Sequence, residues 1–378
     1  MPSDMPRPRV LIFQTHAENS GTQEVSRQLN AGLTARGYDV HELFFVRATR
    51  FLHAGPNVIV CALPPRHGVL GYVRMAILTF TQMRRLKPDV VLCTQWGGTM
   101  LSAFVAPFTG SPLIIANQFT VPVVPPLARW IDKMQGTLGL FSRIVVNSQD
   151  VESEYAGHPK AYRRRLIRIE HGFKEKKSAL SKMEARAELA LPQNVTLLGS
   201  VGRLARSKNL DSAVKLLTQN PQWHLALAGH GPEENKLRDM AAAWGCADRL
   251  HLPSEIHPDR VGDFLAALDV FVFPSVAETF GLAVVEAAQA GVPVVANDLE
   301  VLREVLAVDG EACALFVDVG NSAQFADAVS RVLTDADLRQ QMTERGMRLK
   351  DRYPLDKMFD DYDRLIKDAL REARPAKS

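Results

Sequence analysis

Short β-branched runs alternate with helix-length amphipathic stretches along most of the chain. RVLIFQ (Arg9–Gln14) precedes a helix expected from about Thr22 to Arg36, which Gly37 stops. DVHELFFV and NVIVCAL read as strands, and a helix follows from about Val69 to Leu86. On it Val69, Val73, Ala76, Ile77, Phe80 and Met83 are expected to share the core face, with Arg74, Thr81 and Arg85 opposite. DVVLCT, PLIIAN, RIVVNS and RLIRIEHGF complete a first series. After a polar, lysine-rich stretch a second series runs VTLLGSV, WHLALAG, RLHLP, VFVFPS, VPVVAN, CALFVD, with helices between. Strand and helix alternating without obvious hairpins predict parallel βαβ units. The fold class expected is α/β: two Rossmann-like, doubly wound parallel-sheet domains facing a central cleft.

The linker falls near Gly172 to Ser181, giving domains over 1–172 and 173–353. Beyond Asp335 the pattern is helical only, and Pro354 breaks it. Residues 354–378 read as a helix crossing back to the first domain. At 378 residues the chain suits two cores better than one. Four cysteines with no C-x-x-C spacing exclude a disulfide framework or zinc ribbon and fit a cytoplasmic protein. The N-terminal apolar run is too short for a signal-peptide core, and none approaches the roughly 20 residues that span a bilayer.

The net charge of +3 is unevenly shared. Residues 1–172 hold 19 Lys and Arg against 11 Asp and Glu; the remainder holds 26 against 31. Tyr162–Arg168 (YRRRLIR) is basic but lacks interleaved aromatics and any reader motif, so no nucleic-acid partner is expected. Asp361–Asp363 (DYD) lies on a helix, where i and i+2 face apart, so no metal is expected there.

In open parallel sheets ligands bind beyond the C-terminal ends of strands. The loops there carry the chemistry. After VTLLGSV come Arg203 and Lys208, just before a helix starting near Asn209. Two cations beside unpaired helix N–H groups suit a diphosphate. After VFVFPS comes ETFGLAVVEAAQAG, Glu278 to Gly291. Glu278 and Glu286 would be about 80° and roughly 12 Å apart on one helix, too far for an acid–base pair. Instead Glu278 reads as a loop residue, and Gly281 as the helix start whose amides can approach a ligand. Glu286, on the second turn among apolar residues, suits the two hydroxyls of a ribose. Neither G-x-G-x-x-G nor a P-loop signature occurs, which argues against a dinucleotide oxidoreductase and a P-loop NTPase.

Together SVGRLARSKNLDSAVKLL, LALAGHGPEENKLR and PSVAETFGLAVVEAAQAGVPVVANDLEVLREVL resemble the C-terminal half of retaining GT-B glycosyltransferases of family 4, the glycosyl transferases group 1. The resemblance is specific over about residues 195 to 317 and weaker over the first half. It implies a retaining, metal-independent hexosyltransferase with no cofactor, its substrate a nucleotide-sugar, UDP- or GDP-linked. Carried over, Arg203, Lys208 and Glu278 are the catalytic set. Gly21, Pro253, Ile256, Phe280, Gly281, Leu282 and Glu286 bind the donor. Many members have a His after the strand equivalent to PLIIAN; here Asn117 and Gln118 stand there, so Gln118 and His16 are alternative acceptor or sugar contacts. The acceptor expected on the first domain is a glycan, lipid-linked or small molecule. Phe119–Met134, with Arg129 and Lys133 beside Trp130, adds an expected peripheral contact with an anionic membrane at its inner face. An epimerase of similar architecture and a catalytically silent partner subunit are the alternatives.

A hinge is expected at Glu170–Phe173 and again near Tyr353 and Pro354. Small-angle scattering with and without nucleotide should therefore give different profiles; superimposable curves would count against closure.

Overall fold

The computed structural model describes residues 7–373 apart from 19, 50, 53–54, 64–68, 111 and 119–123. The chain forms two compact units, one of Met1–Glu18, Thr22–Gly172 and Leu355–Ser378, the other of Phe173–Pro354 with Asn19–Gly21.

The first unit runs β1 Arg9–Ala17, α1 Gly21–Ala35, β2 Asp39–Arg47, β3 Val58–Val60, α2 Val69–Leu86, β4 Val90–Cys93, α3 Trp96–Val105 and β5 Leu113–Asn117. It continues with α4 Pro126–Thr137, β6 Arg143–Val146, α5 Gln149–Glu154, α6 Lys160–Arg163 and β7 Leu166–Arg168. All neighbouring strands pair in parallel, in the order β3-β2-β1-β4-β5-β6-β7. Because the order reverses at β1, right-handed crossovers send α1 to one face and α2 to α6 to the other. Contacts of α2 with α3, α3 with α4 and α4 with α6 follow from that. Strands covered on both faces need apolar residues at every position: Val10–Phe13 and Val90–Cys93 are all fully buried.

The second unit runs α7 Lys182–Glu188, β8 Thr196–Val201, α8 Leu210–Gln219, β9 Trp223–Ala228, α9 Glu234–Ala243, β10 Leu250–His251, α10 Val261–Ala266 and β11 Val270–Phe273. Then come α11 Leu282–Gln289, β12 Val294–Asn297, α12 Glu300–Val305, β13 Ala307–Val308, β14 Glu311–Ala312 and β15 Leu315–Val317, followed by α13 Ser322–Thr334, α14 Ala336–Met347 and α15 Leu349–Arg352. Its parallel sheet has the order β10-β9-β8-β11-β12-β15. One hairpin escaped the sequence pattern. β13 and β14 are antiparallel around Asp309 and Gly310, both at positive φ (53° and 81°), which is what an Asp-Gly turn supplies.

The last helix, α16 Leu355–Ala373, packs on the first unit. Phe359 lies where a Cβ on Gly32 of α1 would come within 2.5 Å of its ring. The Tyr362 hydroxyl donates to Asn117 Oδ1 at 2.6 Å, and Arg36 pairs with Asp360 at 2.6 Å. Asp361 and Asp363 are engaged by Lys357 and Lys367, and Asp363 also accepts from Tyr38.

Helix α2 has the expected bounds but only part of the expected face: Met83 is buried and Phe80 packs on the core, with Arg74, Thr81 and Arg85 outside. Met75, Thr79, Met83 and Leu86 form its buried stripe, whereas Val73 and Ile77 are 51% and 57% exposed. Apolar residues occupy both sides of this helix, so periodicity could not choose between them. The sheet takes the 75–79–83–86 row and turns Val73 and Ile77 outward, beside Arg74, Arg84 and Arg85.

Arg186 in α7 is almost wholly buried and holds the start of the second sheet. It donates to the carbonyls of Ala267 and Val195 and to Asp269, which also accepts from the Leu197 amide and Lys182. Burial pushes the Asp269 carboxyl up, but the Leu197 amide, Lys182 and Arg186 outweigh it and hold the pKa below its ordinary value of 3.8. A lowered carboxylate stabilises the fold fully above that ordinary value and progressively less as pH falls through the folded value. Asp269→Ala should cost about 3 kcal/mol at pH 7. Denaturant melts taken down to pH 3 should show the gap from wild type narrowing; a gap independent of pH would refute the assignment.

Candidate functional site

In the second unit, β8 ends at Val201 and the chain makes a short 3-10 turn over Arg206–Lys208 before α8. Asn209 caps α8 in the left-handed region, φ 47°. The Val276 amide, in the loop after β11, donates to the Ser207 carbonyl at 2.9 Å, so these two strand-end loops are tied together. The tie brings Lys208 Nζ to 2.5 Å from Glu278 Oε1, and 5.4 Å above the Phe273 ring. The sequence assigned Lys208 to a diphosphate and Glu278 to sugar hydroxyls; the fold makes them each other's partner. The Glu278 side chain is only 10% exposed, so the pair is partly shielded from water.

Beside this pair lies a hollow lined by Arg203, Lys208, Ser200, Gly202, Phe273 and Ser275. Ser275 is buried, and its hydroxyl has no hydrogen-bond partner among the described residues. Sequence reading passed it over as the end of a strand.

Gly281 caps α11 at φ 81°, where a Cβ would come 3.0 Å from Leu302 Cδ2. Both the conformation and the space therefore require glycine. Val284 and Val285 both donate to its carbonyl, and the amides before them form the open N-terminal end of the helix. Phe280 fixes that end from behind, closing an aromatic triangle with Phe173 and Tyr353 at 5.2–5.6 Å. Phe280 is buried as a whole residue.

Glu286 is buried on α11, with Lys176 Nζ 3.9 Å from its Oε1. Lys176, itself buried, also donates to the Pro258 carbonyl at 3.1 Å. No motif pointed to this lysine, because KEKK reads as solvated linker. Gln289, one turn on, is also buried, with neither amide atom bonded among the described residues. Ile256 belongs to the core of this unit, and the Ser254 carbonyl next to Pro253 accepts from the Gly229 amide at 2.8 Å.

In the first unit, Gln95 clamps the end of β1. Its Oε1 accepts from the amides of Thr15 and His16, and its Nε2 donates to the His16 carbonyl. His16 Nδ1 lies 3.0 Å from the Thr15 hydroxyl, and Gly21 opens α1. Gln118 does not project freely. Its Nε2 donates to Asp132 Oδ1 at 2.7 Å and lies 2.8 Å from the Tyr162 hydroxyl, which donates to Asp132 Oδ2 at 2.7 Å. Burial raises the Asp132 pKa, and the hydrogen bonds from Tyr162 and Gln118 only partly offset that. Burial also lowers the His158 pKa, with Lys133 adding to the effect. Asp132, Gln118, Tyr155 and His158 form the polar side of a cavity of about 40 Å³, and Trp96, Met100, Val124 and Ala128 the apolar side, with Arg129 at its margin. Asp132 had a sequence signal that went unused: it is the only acidic residue between Asp89 and Asp150. Among the described residues no His, Cys, Asp and Glu side chains gather as a metal-ligand cluster.

Residues 181–348 match the family model "Glycosyl transferases group 1", and residues 20–172 match "Glycosyl transferase 4-like domain". The structure superposes on sucrose-phosphate synthase from Thermosynechococcus elongatus with a TM-score of 0.81, covering 97% of this chain and 100% of that one at 20% identity. The chain has the GT-B fold. Anabaena Alr3699/HepE, in complex with UDP and glucose, has the same GT-B fold at a TM-score of 0.79, over 95% of this chain and 99% of that one, at 17% identity. Lipopolysaccharide core biosynthesis glycosyltransferase LpsE of Rhizobium meliloti is 32% identical over 161 residues, 43% of this chain and 46% of that one. The chain spans about half the length of the curated relatives it matches.

Tyr162→Phe should leave Asp132 and Gln118 short of a buried partner and cost about 1–3 kcal/mol in urea unfolding. A melt matching wild type would mean that the network is not closed as described.

Proposed function

We propose that this GT-B chain transfers a hexose from a nucleoside-diphosphate donor to a saccharide acceptor, with retention of anomeric configuration and without a divalent metal. The observation that carries the reading is the convergence of the two strand-end loops, which sets Arg203, Lys208 and Glu278 beside the open start of α11. Cations with exposed helix amides suit a departing diphosphate, whose charge grows as the glycosidic bond breaks. Arg203 and Lys208 take that charge, and Ser275 adds a neutral donor. Glu278 keeps Lys208 oriented and has lone pairs left for hydroxyls of the donor sugar. Glu286, held by Lys176, accepts from the ribose hydroxyls. The amides of Phe280, Gly281 and Leu282 contact the phosphate, with Pro253 and Ile256 beside the base and Gly21 at the diphosphate.

The second unit is thus the donor domain and the first the acceptor domain. HepE holds UDP and glucose, which supports a UDP-sugar as the first donor to try; LpsE acts in lipopolysaccharide core biosynthesis, which supports a glycolipid acceptor. In the first unit, Trp96 gives a sugar ring an apolar face. Asp132, more basic than an exposed aspartate, accepts a hydroxyl proton more readily.

Nucleotide release from UDP-, GDP- and ADP-sugars tests the reading. Glu286→Ala should weaken donor binding by about 2–4 kcal/mol, since two charge-assisted hydrogen bonds are lost. Arg203→Ala and Lys208→Ala should lower kcat more than they raise KM. Turnover should survive EDTA, and product NMR should show the donor's anomeric configuration. Unchanged donor affinity and turnover in all three variants would end the assignment, and no release from any sugar nucleotide would favour a silent subunit.

A further inference from the structure

Among the described residues, ten of the fifteen exposed large hydrophobics fall on one run of the first unit, from α2 through α3 to Leu138, which caps α4. Exposed apolar residues on this scale need an occupant. Leu70 and Ile77 on α2 are 86% and 57% exposed, Phe108 after α3 is 70%, and Leu127 and Trp130 on α4 are 69% and 61%. The crossovers place α2, α3 and α4 side by side on the same face of the sheet, so their outward arcs point the same way. On α2 that arc also carries Arg74, Arg84 and Arg85; on α4 it carries Lys133. None of these four cations is in an ion pair with a carboxylate among the described residues. Between Glu42 and Asp132 the sequence has eight Lys and Arg and a single acidic residue, Asp89, whose carboxylate is occupied by the Arg9 amide.

Apolar side chains interleaved with cations that no carboxylate neutralises, on helices none of which is long and apolar enough to cross a bilayer, suit one partner chemistry. We infer that the outward face of α2, α3 and α4 docks on an anionic lipid surface, the rings and aliphatic chains entering the headgroup layer and the arginines and lysine meeting lipid phosphates. A protein partner would need a complementary row of acidic groups around an apolar patch; an anionic bilayer presents both over any area. The inference bears on the acceptor, because α4 also carries Arg129 and Asp132 of the first unit's cavity. It rests on the glycosyltransferase reading only for that consequence.

The full chain should co-sediment with vesicles of 30% phosphatidylglycerol in phosphatidylcholine, and not with phosphatidylcholine alone. Each cation near such a surface strengthens binding about fivefold, and salt weakens it. Arg74→Glu with Arg84→Glu and Arg85→Glu should therefore cut binding at least tenfold. Ile77→Ser with Trp130→Ala should cut it several-fold while leaving the salt dependence in place. Circular dichroism and nucleotide release, measured on the same samples, separate loss of docking from loss of fold or donor chemistry. Equal behaviour toward both vesicle types, or binding unmoved by either set of substitutions, would overturn the inference. So would sedimentation velocity showing a dimer that these same substitutions dissociate, since a second copy would then cover the face.

Discussion

Parallel strand pairing is the constraint on which the rest depends. In each unit every paired strand of the main sheet runs the same way, so every strand ends at the same edge. Loops distant in sequence are gathered there without any direct affinity for one another: residues 203–208 with 275–286 in one unit, and 15–16 with 95–96 and 117–118 in the other. The cost of the arrangement is that a sheet covered on both faces accepts almost no polar side chain between its ends. Most polar chemistry therefore stands at that edge, including the buried Lys176 and Glu286, although Arg186 is buried at the opposite edge and Glu42 within β2.

Those charges survive burial because they are paired. Lys208 with Glu278, and Lys176 with Glu286, each remove two ions from water together. A lone carboxylate in either place would be strongly disfavoured, whereas a paired one keeps its charge and its direction. The pairing also sets what a ligand must do. On the proposed donor reading, a phosphate approaching Lys208 would meet a lysine already oriented by Glu278, and a hydroxyl approaching Glu286 a carboxylate already held by Lys176. Ordering entropy is then spent at folding rather than at binding.

The first unit solves a different problem. Its cavity is built from one half-buried aspartate and the amide and phenol that bond it, with Tyr155 stacked on Tyr162. Gln118, which stands where the family resemblance leads one to expect a histidine, is a member of that network. Its amide is spent on holding Asp132, and the cavity sets that carboxylate opposite His158. The same helix that contributes Asp132 turns Leu127 and Trp130 to the outside. Inner and outer faces of α4 thus differ in chemistry, a division the heptad-scale pattern of a single helix can encode.

The sequence by itself determined the alternation of elements, the parallel sheets and the loops that carry Arg203, Lys208, Glu278 and Glu286, because these depend on local periodicity and on residue types next to glycines. The bounds of α2 were also legible, since its apolar residues span the whole segment. Which side of α2 faces inward was not, because apolar residues line both sides and only the neighbouring sheet selects the Met75–Thr79–Met83–Leu86 row. Nor were the partners of the charges. Lys176 and Glu286 are more than a hundred positions apart, Gln118 and Asp132 bond each other and share Tyr162, and Ser275 becomes a candidate only once its hydroxyl is seen buried beside Arg203 and Lys208. Periodicity reports which residues leave water; which buried polar groups then meet is set by the path of the chain through three dimensions.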